Sequence, residues 1–130
     1  MATIKTEVLI DARPDDVWAA LRDWGALHER LVPGFVTDTR LDGEDRIVTF
    51  FNGAVVREVL LDLDEEQRRL AWSVVDGPYE QHSATAQVLA DGDGGARFVW
   101  VADLQPDELA GVTRELMQHG TAVVKRTLEG

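Results

Sequence analysis

Apolar and polar positions alternate along most of this chain, and the period lengthens to that of a helix near the N-terminus and again at the C-terminus. Residues 3–10 alternate: Ile4, Val8 and Ile10 point one way, and Lys5, Glu7 and Leu9 the other, which predicts a half-buried strand. Pro14 then suits a first helical turn, with Asp15 and Asp16 where the helix dipole favours acids. Val17, Trp18, Leu21 and Trp24 follow at helical spacing, and Gly25 breaks the stripe. Residues 26–32 predict a second short helix, ended by Pro33-Gly34.

Six strands are predicted next. Residues 35–41 run to the turn Asp42-Gly43, and residues 46–51 to Asn52-Gly53, a strong hairpin signal. Residues 54–63 are rich in Val and Leu, and the acidic turn Asp64-Glu65-Glu66-Gln67 separates them from residues 70–75. Asp76-Gly77-Pro78 ends that strand. Residues 79–89 and 96–104 flank the loop Asp91-Gly92-Asp93-Gly94-Gly95. From Pro106 a long helix is predicted, with Asp107 and Glu108 in its first turn and Lys125 and Arg126 in its last, both matching the dipole. Leu109, Val112, Leu116, His119, Val123 and Thr127 fall near one face of it, with Met117, Gly120 and Val124 beside them.

The expected architecture is α+β: one domain, residues 1–130, with a curved antiparallel sheet of about seven strands around a long C-terminal helix. Two short helices follow the first strand. A single helix is about 10 Å wide and cannot cover such a sheet, so a gap must be filled by large side chains or by a guest. Trp18, Trp24, Trp72, Trp100, Tyr79, His28, His82 and His119 are bulky residues with a polar end that could line it. Gly120 costs about 1 kcal/mol against alanine in a helix, so it points to a close neighbour or to open space.

Composition narrows the function more by exclusion. Apolar residues make up 45% and charged residues 28%, values ordinary for a soluble globular domain. A net charge of −11 argues against nucleic acid and anionic membrane as partners. No apolar run is long enough to span a bilayer, and the N-terminal residues lack a secretory signal, so a cytoplasmic location is the default. The chain has no cysteine, which removes disulfides and thiolate chemistry. A homodimer is left open.

Several short stretches, in their order and spacing, resemble one family. They are Ala12-Arg13-Pro14-Asp15-Asp16-Val17-Trp18, Pro33-Gly34-Phe35-Val36, Arg57-Glu58-Val59-Leu60 with Leu63-Asp64, Arg69-Leu70-Ala71-Trp72-Ser73-Val74, Arg97-Phe98-Val99-Trp100 and Val123-Val124-Lys125-Arg126-Thr127-Leu128. Together they resemble the START-like, helix-grip superfamily (SRPBCC), in its polyketide cyclase/dehydrase branch, over essentially the whole chain. Leu31-Val32-Pro33 departs from the commoner Trp-x-Pro of that family. The resemblance implies a helix-grip fold. It also implies either binding of a small hydrophobic or aromatic ligand between sheet and helix, or a polyketide aromatase/cyclase or dehydratase working by general acid–base chemistry there. A third branch, resembling chaperone activators, would need a binding surface outside the cavity.

Candidate residues follow. The resemblance places a cavity-facing glutamate at Glu58, which burial would turn into an acid or base. Counting by twos with Asp62 places Glu58 outward instead, paired with a cross-strand base, and both placements stay open. His82 lies among small side chains and could titrate on a pocket wall. Glu58 and His82 are therefore the catalytic candidates. The expected ligand-binding set is Trp24, His28, Phe35, Phe51, Glu58, Trp72, Val74, His82, Trp100, Leu116, Met117, His119, Gly120 and Val123. No metal site is expected, because His28, His82 and His119 form no ligand spacing, and no cofactor is expected. The glycine-rich loop at residues 91–95 joins two strands and carries acids, which reads as a hairpin turn. Ser83 and His82 are strand neighbours and point to opposite faces, so they form no dyad.

Overall fold

A computed structural model describes residues 1–130. Strand β1 (Ala2–Ile10) leads into helix α1 (Pro14–Arg22), a 3-10 turn at Trp24–Ala26 and a π turn at Leu27–Leu31. Strands β2 (Val36–Asp42), β3 (Asp45–Phe50), β4 (Val55–Asp64), β5 (Arg69–Val74), β6 (Gln81–Asp91) and β7 (Gly95–Gln105) follow. A 3-10 turn at Asp107–Leu109 precedes helix α2 (Ala110–Glu129), so the long helix begins four residues after Pro106. The predicted order of elements is the observed one.

The strands form a single antiparallel sheet in the order β1-β7-β6-β5-β4-β3-β2. Consecutive strands are neighbours from β2 to β7, and β1 adds to the far side of β7. The inward face reads across the register: Arg46 opposite Glu58, Leu60 opposite Trp72, Trp72 opposite Ala84, Ala86 opposite Trp100. The core gathers on that face around Ile4, Val48, Leu70, Val88, Phe98, Leu104, Met117 and Val124, together with Val17, Trp18 and Leu21 of α1. Burial of these side chains supplies the main drive to fold, at about 25 cal/mol per Å².

Two local devices set the register. The turn after β3 holds three residues, because Phe50 pairs with Ala54 and the Gly53 N–H donates back to the Phe50 carbonyl at 2.9 Å. Gly53 sits at φ +86°, the left-handed conformation that a three-residue hairpin asks of its last position. In β4 a bulge at Leu61 shifts the pairing between Leu60 and Asp62. It turns Leu60 inward and Asp62 outward, although both have the same parity.

Helix α2 lies chiefly against β1, at one edge of the sheet. A buried hydrogen bond between Thr6 Oγ1 and Thr121 Oγ1, 2.8 Å, pins the two. Its inward stripe is Thr113, Met117, Gly120, Thr121, Val123 and Val124. The predicted stripe is thus rotated by about one residue, roughly 100°. Val112 is half exposed and His119 is exposed. The two threonines explain the difference, since hydroxyls that find partners can be buried where a hydropathy pattern expects solvent. No helix of the protein is long and apolar enough to cross a membrane.

Candidate functional site

Because α2 covers one edge, the middle of the concave face keeps an unfilled cavity of about 300 Å³. Twenty of its twenty-six lining residues are hydrophobic. The sheet contributes Phe50, Val56, Trp72, Val74, Ala86, Phe98 and Trp100. The short helices contribute Leu21, Leu27 and Leu31, followed by Val32, Phe35 and Val36, and α2 contributes Leu116, Met117 and Val124. Pro78, Tyr79 and Asn52 on two loops complete the wall, with Leu109, Val112 and Thr113 around the start of α2. Tyr79 and Thr113 share a hydrogen bond of 2.6 Å between their hydroxyls, tying the β5–β6 loop to α2 beside the cavity.

Besides Asn52 and the Tyr79–Thr113 hydroxyl pair, three polar features interrupt this apolar wall. The first is an ion pair, Arg46 with Glu58, whose residues are 3% and 6% exposed. Arg46 Nε donates to Glu58 Oε1 at 2.8 Å, and Nη2 stands 2.7 Å from the same oxygen. Arg46 Nη1 donates to the Trp24 carbonyl at 3.2 Å. The Trp24 ring lies 3.6 Å from the guanidinium carbon and the Trp72 ring 5.8 Å from it, so the cation is flanked by aromatic faces. Burial pulls the Arg46 pKa down from its ordinary value, and the Glu58 charge opposes that pull. Glu58 is therefore both inward and paired with a cross-strand base. The sequence reading offered these as alternatives, and the bulge at Leu61 removes the conflict by breaking the parity with Asp62.

The second feature is His82. Its Nδ1 is buried with no hydrogen-bond partner, and its ring rests against Tyr79 at 4.5 Å between centroids. Burial lowers its pKa to about 4, so the ring is neutral at physiological pH. The third is Trp100, whose ring stands 6.4 Å from that of Trp72 and whose Nε1–H is buried without an acceptor. Unpartnered buried polar atoms are uncommon, and two of the four side-chain atoms of this kind here, with His28 Nδ1 and Thr39 Oγ1 the others, belong to residues of the cavity wall.

Of the residues expected to touch a ligand, Phe35, Glu58, Trp72, Val74, His82, Trp100, Leu116 and Met117 line the cavity. The other six stand off its wall. Trp24 stacks behind Arg46 and donates its Nε1–H to the Glu44 carbonyl. His28 lies on the π turn with Nε2 3.3 Å from Glu29 Oε1. Phe51 and His119 are exposed and pack edge to face, 5.1 Å between centroids, each also against Phe35. Val123 is packed in the core. Gly120 is a point of contact rather than open space: a Cβ there would meet Phe35 Cε2 and Trp100 Cζ3, each at 3.0 Å.

The sequence reading missed Arg46 altogether. A charged residue three positions after Gly43 reads as a strand edge in solvent. A two-residue Asn52-Gly53 turn would also set Ile47, not Arg46, opposite Glu58. The signal that could have found it is the pairing of opposite charges across a three-residue hairpin.

Comparison with known proteins fits this shape. The family model described as polyketide cyclase / dehydrase and lipid transport matches residues 1–130. The chain belongs to this family. Among solved structures, an uncharacterised protein from Bacillus thuringiensis superposes with a TM-score of 0.90 at 18% identity, covering 99% of this chain and 100% of that one. The di-domain ARO/CYC BexL from the BE-7585A biosynthetic pathway superposes with a TM-score of 0.82 at 17% identity, covering 99% of this chain and 47% of that one. Norcoclaurine synthase from Thalictrum flavum, in complex with dopamine and hydroxybenzaldehyde, superposes with a TM-score of 0.73 at 18% identity, covering 98% and 84%. No curated protein matches the chain. Likeness at these identities establishes the cyclase/dehydrase-family fold.

Proposed function

We propose that this member of the polyketide cyclase/dehydrase and lipid transport family binds a compact hydrophobic or aromatic molecule between the sheet and α2. The observation that carries the reading is the unfilled apolar cavity, which Trp72 and Trp100 line rather than plug. Its 300 Å³ is at the small end for ligand pockets, which suits one or two rings better than a long chain. Affinity comes from apolar burial against Trp72, Trp100, Phe98 and Met117, less the cost of immobilising the guest.

Calorimetric titration with naphthalene-sized compounds tests this. Saturable one-to-one binding with a negative heat-capacity change is expected. Compounds of this size that give no saturable heat at any temperature would contradict it.

A second reading, general acid–base catalysis on a bound guest, is favoured by one observation: neutral His82 on the cavity wall with Nδ1 free of any protein partner. The likeness in fold to the di-domain ARO/CYC BexL supports the same reading. In that case the cavity would hold a reactive chain folded, and His82 would take up and return a proton.

A further inference from the structure

We infer that the Arg46–Glu58 pair is the polar anchor of the cavity and selects guests bearing a neutral hydroxyl, such as a phenol or enol, over carboxylates and over ethers of the same shape. The inference rests on the cavity being a binding site.

Removing two charges from water is expensive, and such pairs repay it only when their remaining polar atoms are also satisfied. This pair is left incomplete. Both guanidinium contacts fall on Oε1 of Glu58, and no protein donor is bonded to Oε2. A guanidinium carries five N–H donors. Nε and Nη2 face Oε1, and Nη1 donates to the Trp24 carbonyl, which leaves one N–H uncommitted on each terminal nitrogen. Both residues line the cavity. The Trp24 ring on one face of the guanidinium keeps it from swinging aside to find other acceptors.

The pair therefore offers a guest a charged acceptor next to a charged donor, with the charges themselves already balanced. A hydroxyl complements both at once, since it donates to Oε2 and accepts from Arg46. An ether of the same outline has no proton for Oε2. A carboxylate has none either, and it meets the Glu58 charge beside a cation already neutralised. An ammonium group meets the reverse problem at Arg46.

The test is a calorimetric titration of the full chain near neutral pH with naphthalene, 2-naphthol, 2-methoxynaphthalene and 2-naphthoate. The naphthol is expected to bind at least about tenfold more tightly than naphthalene or the ether, as a charge-assisted hydrogen bond in an apolar site provides, with the naphthoate weakest. In the double variant R46M/E58L, apolar side chains of similar volume replace the pair, a change that is often tolerated. There naphthalene still binds and the preference for naphthol falls to about twofold or less. The inference is overturned if naphthol and its ether bind wild type alike, if the naphthoate binds best, or if the double variant keeps the preference. The wild-type series decides alone should the double variant not fold. If none of the four compounds binds, the cavity reading itself fails, a result distinct from binding without selectivity.

Discussion

His82 shows what burial does to a single residue of this site. Its folded pKa, about 4, lies below the ordinary histidine value of 6.5, so the unfolded chain binds a proton that the folded chain refuses. Stability is therefore complete above about pH 6.5 and falls as the pH drops toward 4, by up to roughly 1.4 kcal/mol per pH unit. Below that window a different set of groups takes over. The carboxylates of Asp15, Asp42, Glu65 and Glu129 are each held below their ordinary range, chiefly by hydrogen bonds from Arg68, Arg57, Trp18 and Lys125 respectively. Urea denaturation of wild type and His82→Phe between pH 4.5 and 7 isolates the histidine. Wild-type stability should fall more steeply from neutrality toward acid than that of the variant, because only wild type carries the penalty. Equal pH dependence in both proteins would show that His82 is not held neutral by burial. The same residue marks how far sequence reasoning reaches at this scale. His82 among Ser83, Ala84 and Ala86 was readable as a cavity histidine because strand parity was regular there. Glu58 was not readable, because its parity with Asp62 is broken by one extra residue in β4.

Elements were more legible than their registers. Each strand was recoverable from alternation and from the turns that end it, because period two and the glycine-bearing turns are local properties. The number of residues in the Asn52-Gly53 turn was not, and that number decides whether Arg46 or Ile47 stands opposite Glu58. The face of α2 was also misjudged by one residue, since Thr113 and Thr121 are buried through hydroxyl partners on Tyr79 and Thr6. Gly120 shows the close fit between helix and sheet. Alanine there would gain about 1 kcal/mol of helix propensity. Its methyl group would press on Phe35, which is buried, and on Trp100, which borders free space. Trp100 should be the side chain that yields, moving into the cavity. Gly120→Ala is therefore expected to keep a melting temperature within a few degrees of wild type while weakening binding of a two-ring ligand several-fold, about 1 kcal/mol of affinity. Unchanged affinity with a large loss of stability would show instead that the helix is displaced and the cavity is not.

At the scale of the molecule, one packing choice makes the site. Helix α2 is committed to the β1 edge, and the two short elements after α1 cover only part of what remains, so the sheet encloses more space than the chain fills. The surplus of acidic residues does not reach this space. Inside it Arg46 and Glu58 cancel, and the many exposed acids stand in turns and surface ion pairs. The four tryptophans happen to sample the arrangement. Trp72 and Trp100 line the cavity, Trp24 stands behind Arg46, and Trp18 is fastened outside it by a 2.8 Å hydrogen bond from its Nε1–H to Glu65 Oε2. Their indole N–H resonances in a nitrogen–proton correlation spectrum therefore report occupation directly, while 2-naphthol is added to the full chain. The signals of Trp72 and Trp100 should move in a saturable way, with Trp18 unmoved. Four stationary signals, or a shift of Trp18 equal to that of Trp100, would contradict a guest held between sheet and helix.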